Sequence, residues 1–295
     1  MHVDLHSHTD ASDGALSPAD LCGLAVSRGV ELLAITDHDT VAGYRAARDC
    51  LRAGAGDSAD MPLRLVPAVE YSSIWSSLGV HVVGLGIDVE HTATLAACSY
   101  YGEARRRRAG MIGERLAKLG MPGAAEGALA LAGSAQVGRP HFARYLVRQG
   151  HVRSEEEAFD RYLGAGRPGD IKLLWPELGA VVDSIRAAGG IAVLAHPLKY
   201  RLTATRLRRL VADFAACGGG AMEVVVGRQT QQDTLFLARL AEQHGLQASV
   251  GSDFHGPGTA WSQLGDIAEL PGNCEPVWLR WQDAAAGSAA RQANR

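Results

Sequence analysis

The sequence predicts an α/β fold, a parallel sheet or barrel of βα units interrupted by a mostly helical insertion. Three observations predict it. Short apolar runs alternate with capped helical stretches in both the first and the last third of the chain. The middle, from about residue 99 to 175, holds no run that reads as a buried strand. Histidines and acids recur where the predicted strands end. The 295 residues are 47% hydrophobic, enough to bury a large core around such a sheet.

Residues 3–8 read as the first strand, whose alternation puts His6 and His8 on one face beside Asp4. Ser17-Pro18-Ala19-Asp20 reads as a helix start, with Ser as cap, Pro in the first turn and an acid behind it; Gly29 ends that helix. Val30–Thr36 suits a buried parallel strand, and Thr40 caps a second helix that ends near Gly54. Leu63–Val69 and Val80–Gly86 read as further strands. The insertion carries the basic run Arg105–Arg108, read as a solvated helix face, and a capped helix at Ser154-Glu155-Glu156-Glu157. The βα rhythm then resumes, with strands at Ile191–Leu194, Met222–Val226 and Gln247–Val250 and helices over about 203–217 and 230–244. The expected organisation is a discontinuous barrel of residues 1–98 and 176–282, an insertion of 99–175 that contributes to substrate binding, and a loose tail of 283–295.

Composition narrows the function classes. Twenty-nine Lys and Arg against 32 Asp and Glu leave a net charge of −3, which argues against a broad non-specific nucleic-acid surface but allows a small basic pocket. The five cysteines are scattered without a CxxC pair, so neither a disulfide framework nor a zinc ribbon is expected. The N-terminus lacks the basic start and apolar core of a signal peptide, and no apolar run could span a bilayer. A cytoplasmic protein without membrane attachment is the expectation, and no protein partner is indicated.

The chemistry sits at strand ends. His6 and His8 close the first strand, Asp37-His38-Asp39 follows the second, Glu70 the third, His196 the Ile191 strand, and Asp253 and His255 the last. Barrel enzymes assemble their sites from such positions. His81 fits less simply, because it lies near the start of its strand and its register is open. Mixed imidazole and carboxylate donors suit zinc, manganese or iron, and these residues outnumber what one ion can use, so two or more ions are implied. Alone, each piece has an ordinary explanation: a surface His-x-His pair, a capping loop, a turn. Their conjunction in one βα series makes coincidence a poor one.

Asp4-Leu5-His6-Ser7-His8, Thr36-Asp37-His38-Asp39, Glu70, Ala195-His196-Pro197 and Gly251-Ser252-Asp253-Phe254-His255 resemble the motifs of the PHP (polymerase and histidinol phosphatase) family, spanning nearly the whole chain. The resemblance implies a distorted (β/α)7 barrel with three divalent ions, manganese first and zinc or iron as alternatives. It implies that His6, His8, Glu70 and Asp253 hold one ion and that Glu70 bridges to a second, bound also by His81 and His196. Asp13, His38 and His255 would hold the third; some family members carry a histidine where this chain has Asp13. The finer pattern His6-Ser7-His8-Thr9-Asp10-x-Ser12-Asp13-Gly14, together with Gly138-Arg139-Pro140-His141, is similar to a subgroup of 3′,5′-nucleoside bisphosphate phosphatases, with related members that trim RNA from its 5′ end.

Arg139 also reads bottom-up as a fork for phosphate beside a proline that fixes the backbone, and His141 as a donor or ligand; the plain alternative is a helix start with a solvated Arg. The expected activity is hydrolysis of the 3′-phosphate of a small phosphorylated nucleotide to leave a 5′-nucleotide, with water activated at the metals. Asp39 or His141 could assist the leaving oxygen. The nearest rival is a 5′-3′ exonuclease on short RNA or DNA oligonucleotides. Rivals of other classes are a non-catalytic metal-binding regulatory module and a metal-dependent amidase or deaminase.

Overall fold

The computed structural model describes residues 1–55, 63–172, 174–258 and 262–282. The tail expected over 283–295 lies outside them. The strands form two hydrogen-bonded sheets. β1 (Val3–Asp4), β2 (Leu32–Ala34) and β3 (Arg64–Val66) make a parallel sheet in that order. β4 (Ala68–Trp75), β5 (Leu78–Leu85), β6 (Ile191–Leu194), β7 (Ala221–Val226) and β8 (Gln247–Gly251) make the other. β6, β7 and β8 run parallel, whereas β5 is antiparallel to both β4 and β6.

That reversal corrects the expectation of a purely parallel sheet. β4 and β5 form a two-residue hairpin at Ser76-Ser77, whose φ values of 49° and 65° are those of a tight turn matched to strand twist. The reversal also accounts for His81. Because β5 runs backwards, its early residues lie at the edge where the parallel strands end, and Ser72 is directly opposite His81.

Backbone bonds join the segments that leave these strands. Leu5 N donates to Val250 O at 3.1 Å, Asp253 N to His6 O at 2.8 Å, and His8 N to Phe254 O at 2.9 Å. On the other side Thr36 N donates to Ser7 O at 2.8 Å and Asp39 N to Glu70 O at 2.9 Å. The motif segments around residues 6–8, 36–39, 70 and 253–255 are thereby laced side by side. Gly251 permits the closest approach, since a Cβ there would lie 2.3 Å from that of His6.

β2 and β6 are buried on both faces, along every residue. Helices cover them. α1 (Pro18–Ser27) is capped by Ser17, whose Oγ accepts from Asp20 N at 3.1 Å, and α2 (Ala42–Ala55) follows β2. Later come α3 (Thr92–Ala117), α4 (Ala124–Ala132), α5 (Arg139–Arg148), α6 (Glu155–Ala158) with a π turn over Phe159–Leu163, α7 (Leu178–Ala187), α8 (Ala204–Ala216) and α9 (Gln231–Gln243). Leu207, Leu210, Val211 and Phe214 form the inward stripe of α8 at helical spacing.

The long helix α3 crosses the boundary read from sequence. Its first half sets Tyr101 into the main core, while Ile112 and Leu116 in its second half join a separate apolar cluster with Ala128, Phe142 and Leu146. Arg105 and Arg108 are buried, not solvated as expected; only Arg106 and Arg107 of the run face water. The basic run wraps around the helix, so its two halves point to different surroundings. No helix among the described residues is long and apolar enough to cross a membrane, and the five cysteines are free.

Candidate metal centre

Four donor atoms converge where the laced segments meet. His6 Nε2 and His8 Nε2 are 3.1 Å apart, and Glu70 Oε2 lies 3.3 Å from each. Asp253 Oδ1 is 3.5 Å from His6 Nε2 and 3.3 Å from His8 Nε2. Ligands about 2.1 Å from a tetrahedral metal stand about 3.4 Å from one another. His6, His8 and Asp253, with all three separations between 3.1 and 3.5 Å, therefore enclose a space of the size of a divalent-cation site. Two ring nitrogens facing each other repel when both present lone pairs; a shared cation removes that repulsion.

Glu70 extends the cluster in two further directions. Its Oε1 lies 2.9 Å from His81 Nδ1 and 2.9 Å from His196 Nε2. Its Oε2 is 2.9 Å from His38 Nδ1, yet neither of these two atoms has hydrogen-bond geometry to any partner. His8 Nδ1 and His196 Nδ1 are likewise buried without a partner. Buried donor atoms left unsatisfied are costly unless something else binds them. Asp13 completes a third group, with Oδ1 3.4 Å from His255 Nε2 and Oδ2 3.6 Å from His38 Nε2. The donor sets that fit around one ion are His8-Asp13-His38-His255, His6-Glu70-His196, His6-His8-Asp253 and His38-Glu70-His81. All nine residues expected as ligands are thus brought together, although His6, His8 and His38 also fall in sets that the resemblance did not give them, and none of these sets joins Glu70 to His6, His8 and Asp253 together.

Charge is balanced to hold cations. Burial alone would push Glu70 up, but His38, His81 and His6 hold its carboxyl well below the usual range. Asp253 is held low against burial by His6 and Lys199. His8 is driven down to about 3 by burial and the neighbouring His255, so it is a neutral ring ready to coordinate. The backbone at Asp39, His196 and Asp253 is left-handed, at φ 58°, 29° and 52°. Such strain costs roughly 1–3 kcal/mol per residue and gathers where a site demands it.

Sequence reasoning missed the group that orients the centre. Glu223, buried in β7, accepts from His6 Nδ1 at 2.6 Å and from the backbone N of His196. Carboxylates behind metal-binding imidazoles fix their tautomer and aim. A lone acid in the apolar run Ala221–Val226 was the available signal, because a buried charge must have a partner. Asp37 was singled out only within its motif; it binds Thr9 N at 2.8 Å, Thr9 Oγ1 at 2.6 Å and Ser12 Oγ at 2.7 Å, which shapes the loop carrying Asp13.

Asp13, His38, His81 and His196 of the cluster form one wall of a cavity of about 450 Å³. Arg105, Arg108, Arg139, Lys172 and Lys199 face it, with Phe159 and Trp175 as aromatic surfaces. The Trp175 ring centre is 5.6 Å from the guanidinium of Arg105 and 5.2 Å from that of Arg108. Arg108 donates through Nε to Ile171 O, and burial together with Arg139 and Arg105 lowers its pKa to about 9. Lys172 is paired with Asp170 at 2.8 Å and Lys199 with Asp253, which leaves Arg108 and Arg139, the latter 3.9 Å from Asp170, as the guanidinium groups best placed for an anion.

Two expected roles meet different geometry. The Asp39 carboxylate, given above as a candidate acid, is occupied. It accepts from Ser72 N at 2.6 Å, Ser72 Oγ at 2.9 Å and Arg105 Nε at 2.7 Å, which fixes Arg105 rather than leaving an oxygen to exchange protons. His141, expected to reach substrate, is buried in the first turn of α5, where its Nδ1 accepts from Gly138 N at 3.1 Å; it is not among the residues facing the cavity. Arg139 does face it, with one N–H donated to Leu163 O at 3.0 Å.

Residues 4–112 match the PHP domain. A 5′-3′ exoribonuclease of Haemophilus influenzae is 42% identical over 278 residues, 94% of this chain and 98% of that protein. A 3′,5′-nucleoside bisphosphate phosphatase of Chromobacterium violaceum is 38% identical over 94% of this chain and 95% of its own length. The solved structure of an amidohydrolase from Chromobacterium violaceum, with bound sulfate and no metal, superposes with a TM-score of 0.85 at 38% identity and covers 96% of each chain. With a site of histidines and carboxylates at its strand ends and relatives of this similarity along its length, the chain belongs to the PHP family of metal-dependent phosphoesterases and is an enzyme that hydrolyses phosphate esters.

Proposed function

We propose that the enzyme removes the 3′-phosphate from nucleoside 3′,5′-bisphosphates and leaves a 5′-nucleotide. The observation that carries this is one cavity with two unlike walls, the ligand cluster on one side and Arg105, Arg108, Arg139 and Lys172 on the other. A substrate with two phosphates uses both. In this reading Asp39 and Ser72 hold Arg105 in place, and Arg108 and Arg139 grip the phosphate that does not react. Trp175 and Phe159 offer faces for the base. The nine ligands would hold three divalent ions, manganese foremost, with Glu70 between two of them. When bound, these ions polarise the phosphoryl group and make water a nucleophile at neutral pH. We also read the two sheets, joined through their backbones at residues 5–8 and 36–39, as the family's distorted (β/α)7 barrel, with residues 99–175 inserted to carry the basic wall.

A second reading uses the same wall for the 5′-phosphate of RNA, with the ester on the 3′ side as the one cleaved. The relative named as an exoribonuclease, 42% identical, favours it. The two readings share one chemical demand, a 5′-phosphate on the nucleotide whose 3′ ester is hydrolysed. Manganese-loaded enzyme should therefore release phosphate from adenosine 3′,5′-bisphosphate with a kcat/KM about a hundredfold above that for adenosine 3′-monophosphate, the size expected of one or two charge-assisted hydrogen bonds. Arg139→Gln should remove most of that preference. Equal rates on the two nucleotides would defeat the proposal.

A further inference from the structure

Beside the cavity of the metal centre lies a second one of about 330 Å³, and the two share His196 and Lys199 as a common wall. Its floor is apolar, from Pro197, Leu198, Val226 and Leu237, and Arg228 and Thr230 stand at its side. The chain reaches this position because His196, at φ 29°, turns β6 sharply into a short 3-10 helix, Pro197–Tyr200. That turn aims the imidazole at Glu70 and leaves Leu198 and Lys199 between the cavities.

We propose that this second cavity seats the nucleotide directly downstream of the scissile phosphate when the substrate is a 5′-phosphorylated RNA. The inference rests on the 5′-phosphate clamp proposed above and adds a subsite to it. Continuity argues for it first. A nucleotide anchored at the basic wall, with its 3′ ester at the cluster, must send its next residue past the cluster, and the space behind His196 and Lys199 adjoins it. Charge argues for it next. Lys199 and Arg228 line the space; Lys199 is paired with Asp253 on the cluster side, so Arg228, 63% exposed and bound to Asp266 through two contacts of 2.6 and 2.8 Å, is the charge open to a ligand. Both partners stand in water, so solvent screening weakens the pair and a phosphate can displace the carboxylate. The carboxylate in the wall, Asp233, is tied to Thr230 Oγ1 at 2.8 Å as part of the cap of α9. The apolar floor suits a ribose or a base edge. A mononucleotide bisphosphate has nothing to place there, so the subsite concerns oligonucleotides alone.

The test compares two substrates on manganese-loaded enzyme, adenosine 3′,5′-bisphosphate and a diadenylate phosphorylated at both its 5′ and 3′ ends, a dinucleotide whose 3′-phosphate lies beyond the scissile one and within reach of Arg228. Arg228→Glu should raise KM for the dinucleotide about tenfold, the worth of one charged phosphate contact, and leave the bisphosphate within about twofold. Arg228→Lys should recover most of the dinucleotide affinity. Equal change on both substrates, or on neither, overturns the subsite. So does a wild-type enzyme that hydrolyses the bisphosphate but not the dinucleotide. Hydrolysis of neither substrate by the wild type would instead defeat the underlying clamp, and the subsite with it.

Discussion

Glu223 holds two of the cluster's imidazole segments at once, the ring of His6 and the backbone of His196. Its carboxylate makes His6 a better ligand and fixes which nitrogen faces the ions. Glu223→Gln keeps the shape and loses the charge. Calorimetric titration with manganese should then show affinity weakened by about 10- to 100-fold, with the fold intact by circular dichroism. Unchanged affinity would show that Glu223 serves packing alone. At this scale the sequence was informative about ligands and poor about their supports. His6, His8, His38 and Asp253 stand in tight motifs with a spacing to read. Glu223 is single, and its partner lies 217 residues away. Arg105 was misread for a related reason: a run of four arginines looks uniformly solvated, whereas helical geometry turned one of them onto Asp39.

Among the elements, the β4–β5 hairpin does the least expected work. It carries Glu70 on one strand and His81 on the other and puts both at the same edge. The turn residues gave no warning, since Ser76-Ser77 lacks the Asn-Gly signature of tight hairpins, and so the two strands read as separate βα members. Both serines adopt positive φ, which costs a non-glycine residue free energy. Replacing the pair with Asn-Gly should raise stability by about 1 kcal/mol and the melting midpoint by a few degrees, with activity unaltered. Thermal unfolding followed by circular dichroism checks this, and a lowered midpoint would contradict the turn assignment. Helices were easier to read. Ser17, Ser154, Thr203 and Thr230 all cap as their residue types suggest, because an N-cap is a local hydrogen bond that sequence neighbours make by themselves.

In the whole molecule, two apolar clusters meet along α3, one under the sheets and one within the segment 109–171. The helix joins the two sources of function: Tyr101 anchors it to the sheet core, and Arg105 and Arg108, one and two turns on, reach the cavity. The sheet order could be anticipated from the βα rhythm where strands are parallel, at β1–β2–β3 and β6–β7–β8. It could not be anticipated at β5, where direction depends on a turn. Metal dependence is what the proposed chemistry requires first. Enzyme stripped with a chelator and titrated with manganese should release no phosphate from adenosine 3′,5′-bisphosphate at the start. It should gain activity that saturates near three equivalents per chain, as nine converging ligands predict. Full activity in the presence of the chelator, or saturation at a single equivalent, would contradict it.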